Sequence, residues 1–152
     1  MIDAAEVRAA EKYFHHHIPL TRAMGLRVVA NEENGFAIEA PVALNYNHMR
    51  SAFGGSINAA ATLAGYGMLW LQLRSSAAHV VIAESSIRFL RPVRTTIRAR
   101  CDQLDAGEWE RFRSALRTSG KARIKLQVRV EEESVLAARF EGVFVATTQE
   151  LA

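Results

Sequence analysis

The chain has 152 residues, 49% hydrophobic and 23% charged, which gives enough apolar material for one packed core and excludes a disordered or fibrous chain. Its formal net charge of +3 and pI near 9.4 suit solubility and phosphate-bearing ligands alike. The single cysteine, Cys101, excludes an internal disulfide or multi-cysteine metal site, so we expect one domain spanning 1–152 in the cytoplasm.

Met1-Ile2-Asp3-Ala4-Ala5-Glu6 does not read as a secretory signal. Asp3 and Glu6 have capping-box spacing, and Ile2, Ala5, Ala9 and Tyr13 recur at helical intervals, which predicts a first helix ending near Pro19. Strands are expected over 26–32 and 36–42, joined by the turn-forming Asn31-Glu32-Glu33-Asn34-Gly35. A polar loop over 43–55 then carries Asn45, Asn47, His48 and a Gly-Gly pair.

Residues 51–73 contain no charge and no histidine, and a helix is expected from about Ser56 to Arg74. Asn58, Thr62, Gln72 and four glycines dilute its apolarity too far for a membrane span. Val80 to Arg91 reads as a strand, with Val81, Ala83, Ser85, Ile87 and Phe89 on one face, and residues 95–102 alternate again. Trp109, Phe112 and Leu116 share one helical stripe. Strands over 122–132 and 135–146 complete the chain, and no repeat or linker interrupts it. A helix that is apolar nearly all round must be buried on most sides, which half-polar strands achieve by curling around it. The expected class is therefore α+β, an antiparallel sheet wrapped around a long central apolar helix. Such a sheet leaves an exposed edge, so a homo-oligomer, dimer or tetramer, is expected.

His17-Ile18-Pro19-Leu20, Met24-Gly25-Leu26, Ala52-Phe53-Gly54-Gly55-Ser56, Ile87-Arg88-Phe89-Leu90-Arg91-Pro92-Val93 and Trp109-Glu110-Arg111-Phe112 occur in that order. Together they resemble the thioesterase family named after the YiiD C-terminal domain. The resemblance implies a hotdog fold, a homo-oligomer and an acyl group carried on coenzyme A or on an acyl carrier protein. Thioester hydrolysis needs carbonyl polarisation, control of a water and room for the thiol. Gly54 and Gly55 can supply the first through backbone N–H groups at a helix N-terminus, or merely permit a tight turn. Related hotdog thioesterases carry His-Gly-Gly here, and Phe53 departs from that pattern, with Ser56 following.

Those relatives place Asp or Glu about two helical turns further on, where this chain has Thr62. Thr62 can orient a water but cannot act as a strong base. Asn58, one turn before it, can hold a ligand carbonyl or a backbone group. Asn47 is the preferred loop candidate, because an amide both donates and accepts; Asn45 and His48 flank it. Glu84 is the acid nearest the helix in the following strand, yet strict alternation points it away from Ile87 and Phe89, so a bulge or an intersubunit site would be needed. Arg88, Arg91 and Arg94 belong to an acid-free run with Arg98 and Arg100 and could bind the phosphates of coenzyme A or simply be solvated. Aromatic residues do not interleave with the polar face of that run, which argues against nucleic acid. His15-His16-His17 point about 100° apart on a helix and cannot converge on one metal ion. Neither a metal nor a cofactor is expected. The leading expectation is an acyl-CoA or acyl-carrier-protein thioesterase; the alternative is a non-catalytic module that binds the same group.

Overall fold

The structure is a computed structural model that describes residues 2–29, 35–74 and 76–149. Helix α1 spans Ala4–His17 and starts in the expected capping box, with Glu6 N–H donating to Asp3 Oδ1 at 2.8 Å and Asp3 N–H to Glu6 Oε2 at 3.0 Å. Its buried stripe is Ala10 and Phe14, with Ile2 just before the helix, whereas Ala5 and Ala9 face solvent. The sequence stripe was therefore one position out of phase for its central residues, because the small alanines carry little periodic signal and Phe14 decides the face. Pro19 opens the short helix α2, Pro19–Ala23, where its missing N–H costs nothing.

Among the described residues, six strands form one antiparallel sheet in the order β1-β2-β4-β5-β6-β3. They are β1 (Arg27–Val29), β2 (Phe36–Pro41), β3 (His79–Phe89), β4 (Thr96–Cys101), β5 (Lys121–Glu132) and β6 (Val135–Thr147). β1 and β2 pair with Arg27 opposite Glu39, so the expected hairpin partners are correct, while turn residues 31–34 lie outside the described residues. β5 alternates as read, with Ile124, Leu126, Val128 and Val130 buried against exposed Arg123, Lys125 and Gln127. Helix α4, Ala106–Ser119, is capped by Asp105 and ends at Gly120 in the left-handed region.

The central helix α3 runs Gly54–Leu73, starting two residues before the expected point, and touches β2, β3, β4, β5 and β6. Ile57, Ala61, Leu63, Ala64, Met68 and Leu69 are buried on several sides of it, so the sheet wraps the helix in a hotdog arrangement. Two glycines allow that close embrace. A Cβ on Gly65 would sit 2.7 Å from Phe144, and one on Gly67 would overlap the ring of Phe36. Around the helix, fully buried Phe14, Phe36, Ile38, Ile97, Leu126 and Phe144 complete the core.

β3 is the exception to this burial. It pairs only with β6, none of its residues is buried, and Val81 and Ile82 are 43% and 37% exposed. A register shift between Ile82 and Glu84 marks a bulge at Ala83. Before the bulge Val80 and Ile82 share the inner face opposite Ala146 and Phe144; after it Ser85, Ile87 and Phe89 do. The single inner face expected through Val81 and Ala83 is thereby corrected, since an inserted residue reverses the period-two phase.

Gly67→Ala is expected to destabilise the fold by about 1–3 kcal/mol through overpacking against Phe36. Gln72→Ala, on the exposed side of the same helix, is expected to stay within about 0.5 kcal/mol of the parent. Urea denaturation of both variants measures the difference.

Candidate active site

The N-terminus of α3 opens into a groove of about 560 Å³. Its floor is one stripe of the helix, Gly55, Asn58, Ala59, Thr62, Leu63 and Tyr66, spanning roughly 16 Å at the helical rise. Ile18 and Leu20 form one wall and Val80, Val81 and Ile82 of β3 the other. The i, i+3, i+7, i+11 spacing of Gly55, Asn58, Thr62 and Tyr66 places all four on one face.

Gly54 and Gly55 are the first two residues of the helix after the cap Phe53, so their N–H groups have no intrahelical acceptor. Neither N–H has any other acceptor among the described residues. Ser56 N–H, by contrast, donates to Phe53 O at 2.9 Å. The donors are flanked by aromatic rings. A Cβ on Gly55 would lie 2.5 Å from the Phe53 ring, and one on Gly54 would lie 3.4 Å from Phe89, and both rings are more than half exposed. Phe53 thus shields the helix end, and the positive end of the helix dipole faces a site with apolar walls.

Within the groove Thr62 donates its hydroxyl to Asn58 O at 2.9 Å, which leaves it only as an acceptor. Asn58 Oδ1 is buried and has no hydrogen-bond partner. A buried acceptor left unpaired costs about 1–3 kcal/mol, so a turn of the Asn58 amide that brings this oxygen to the groove would let a ligand or a water satisfy it. Tyr66 closes the far end, with its hydroxyl 3.4 Å from that of Tyr13. Burial first, then the Tyr13 hydroxyl, raises the Tyr66 pKa above the usual phenol range, so it stays protonated.

The loop asparagines are occupied elsewhere. Asn45 is buried and gives both side-chain amide hydrogens to backbone, to Met24 O at 2.9 Å and Pro41 O at 2.8 Å, while its backbone carbonyl accepts from Phe53 N–H at 2.7 Å. It fixes the approach to the glycines. Asn47 Oδ1 accepts from Met49 N–H at 2.8 Å and Ser51 N–H at 3.2 Å, holding a turn in which Arg50 adopts a φ of 63°. His48 is exposed on that turn. None of these three lines the groove.

The bulge that Glu84 required is present, but it does not turn this residue inward. It reverses the residues before it and leaves Glu84 on the outer face, in a separate depression with Ser86, Lys125 and Glu141. Within one chain, then, no carboxylate lines the groove among the described residues. Arg88 lies on the same outer face, while Arg91 and Arg94 follow in the loop after β3, which Glu132 holds by accepting from Arg94 N–H and Thr95 N–H, both at 2.7 Å. Among the described residues no cluster of three or more His, Cys, Asp or Glu side chains gathers, and His15 Nε2 instead bonds Leu26 O at 2.8 Å.

A family described as "Putative thioesterase (yiiD_Cterm)" matches residues 7–148. The chain belongs to this family. Among solved structures, a protein of unknown function from Chlorobaculum tepidum superposes with a TM-score of 0.88 at 28% identity, over 94% of each chain. The putative thioesterase from Shewanella oneidensis gives 0.86 at 28% identity, over 95% of this chain and 99% of that one. A thioesterase from Haemophilus influenzae, 18% identical with a TM-score of 0.72 over 95% of this chain and 92% of that one, shares the fold. The resemblance seen in the sequence motifs is thus correct in family and in fold.

Sequence reasoning missed Tyr66, Phe89 and the Ile18–Leu20 wall. Tyr66 could have been found by extending the stripe from Gly55 by whole turns. The other contacts depend on long-range packing. Cys101, buried at the inner face of β4, has its thiol pushed up to about 12 from 9.0 by burial first and then by Asp102. Because the folded value exceeds the unfolded one, its stabilising contribution is complete below about pH 9 and is lost as pH rises toward 12. A disulfide reagent at pH 8 is expected to leave the native thiol untouched and to label it fully in urea. Rapid native labelling would contradict this burial.

Proposed function

We propose that the chain acts on acyl thioesters of coenzyme A or an acyl carrier protein, with hydrolysis as the leading reaction. The carrying observation is the pair of unengaged N–H groups at Gly54 and Gly55, at the start of the helix whose stripe of Gly55, Asn58 and Thr62 lines the groove. The thioester oxygen accepts from the glycine N–H groups, which meet the negative charge that develops there. The acyl group lies along the stripe toward Tyr66, and Thr62 Oγ1, with the Asn58 amide one turn before it, orients a water. That water adds to the carbonyl carbon, the C–S bond breaks, and a proton from the water passes to the departing thiolate, giving the carboxylic acid and the carrier thiol.

Asn58 and Thr62 orient but do not take a proton. The edge strand β3 and its exposed Val81, Ile82 and Phe89, together with Met49 and Tyr46 on the loop, favour closure by a second copy of the chain. Across such a boundary Glu84, His48 or Asn47 of one copy can approach the groove of the other. No helix among the described residues is long and apolar enough to cross a membrane. A reducing, cytoplasmic setting is our reading of the lone cysteine. The absence of a carboxylate in the groove favours the second reading, a module that binds acyl thioesters without turning them over.

The test uses acyl-CoAs of graded chain length, following both free thiol and the mass of the acyl product. Gly54→Pro is the sharpest variant: it deletes one N–H at the first helical position, where proline fits, after a Phe53 whose φ of −64° and ψ of 131° suit a following proline. It is expected to fold normally and lose roughly 10²–10³-fold in kcat. Saturable acyl-CoA binding without thiol release would favour the binding module; neither binding nor release would overturn both readings.

A further inference from the structure

Strand register aligns four arginines on the outer face of the sheet. Arg88 on β3 is paired with Arg139 on β6, Arg139 with Arg129 on β5, and Arg129 with Arg100 on β4. The β4–β5 end of this row is matched by acids. Asp102 lies 2.9 Å from Arg129 and 3.2 Å from Arg100, and Glu131 is 3.6 Å from Arg129. The other end is not. Arg88 and Arg139 are exposed, directly opposed, and without a carboxylate within ion-pairing distance among the described residues. Like charges directly opposite on a sheet are destabilising, so this pair costs stability unless an anion sits between the two.

The surroundings are shaped for one. Arg88 and Arg139 line a cleft of about 540 Å³ together with Ser86, Gln127 and Leu90. Glu141 also lines it, but its carboxylate is engaged by Lys125 at 3.4 Å and Gln127 at 3.5 Å. Two planar guanidinium forks with a neighbouring hydroxyl and amide match the oxygens of a phosphate. The place is also informative. Arg88 immediately precedes Phe89, whose ring stands beside Gly54, so the cleft lies on the outer face of the strand end that meets the start of α3 on its inner face.

We propose that Arg88 and Arg139 together form the phosphate seat for the carrier of the thioester. This rests on the acyl-thioester reading above. The shared chemistry is a phosphate ester of the pantetheine arm, borne either by coenzyme A or by the arm attached to a protein. Arg139 was invisible to a reading of the arginine run around Arg88, because it lies fifty residues away and reaches its partner only through the β3–β6 register.

The experiment measures binding of coenzyme A and of 4′-phosphopantetheine by calorimetry, for the parent, Arg88→Ala, Arg139→Ala and Arg139→Lys. Alongside it, turnover is compared for one acyl group on coenzyme A and on N-acetylcysteamine, which has no phosphate. Each alanine is expected to weaken coenzyme A binding about 10-fold and raise KM for acyl-CoA similarly, leaving kcat and the truncated thioester unchanged. Arg139→Lys is expected to fall between, since it keeps charge but loses the fork. Loss of phosphopantetheine affinity in parallel assigns the seat to the arm's own phosphate; loss confined to coenzyme A assigns it to the nucleotide's phosphates. Unchanged coenzyme A affinity in Arg139→Ala, or an equal loss with the truncated thioester, overturns the proposal. A lowered melting temperature in Arg139→Ala also overturns it, because relieving an exposed like-charge pair should not destabilise the fold. Phosphate-dependent binding without turnover would leave the seat standing and sink hydrolysis. Turnover of both thioesters with unaltered binding in the variants would do the reverse.

Discussion

The constraint on which the whole arrangement depends is the burial of α3, a twenty-residue helix without one charged residue or histidine. Charged groups are absent because nearly every side of this helix meets a strand, and an unpaired charge there would cost several kcal/mol. The sheet curls because its inner residues must follow a cylinder. The glycines at 65 and 67 let Phe144 and Phe36 approach where any side chain would hold them off.

That same burial creates the site. A helix enclosed along its length exposes only its ends and whatever stripe the sheet fails to cover. Here the uncovered stripe faces the edge strand β3, and the exposed end carries two N–H donors. On that uncovered stripe Thr62 stands two turns into the helix in place of a carboxylate, with its hydroxyl turned back to its own backbone. In our proposal the helix start supplies electrostatic stabilisation, and proton transfer comes from outside the helix.

Legibility in the sequence followed the range of the interactions involved. The capping box, the β5 alternation and the uncharged helix depend on neighbours within a few positions, and all were readable. The phase of β3 was not, because a single bulged residue at Ala83 reverses it without altering composition. Gly54, Gly55, Asn58 and Thr62 were placed together by helical spacing alone. The engagement of Asn45 with Met24 and Pro41, the turn bonding of Asn47 and the outward position of Glu84 depend on where the chain returns in space, which spacing does not encode.

The central claim is that the start of α3 polarises a thioester carbonyl. The most direct measurement is the infrared stretch of a ¹³C-labelled carbonyl in a stable acyl-CoA analogue in which CH₂ replaces sulfur, recorded bound to the protein and free in water. The account predicts a shift to lower frequency on binding, largely abolished in Gly54→Pro. A bound frequency equal to the value in water, or one unaffected by that substitution, would contradict it.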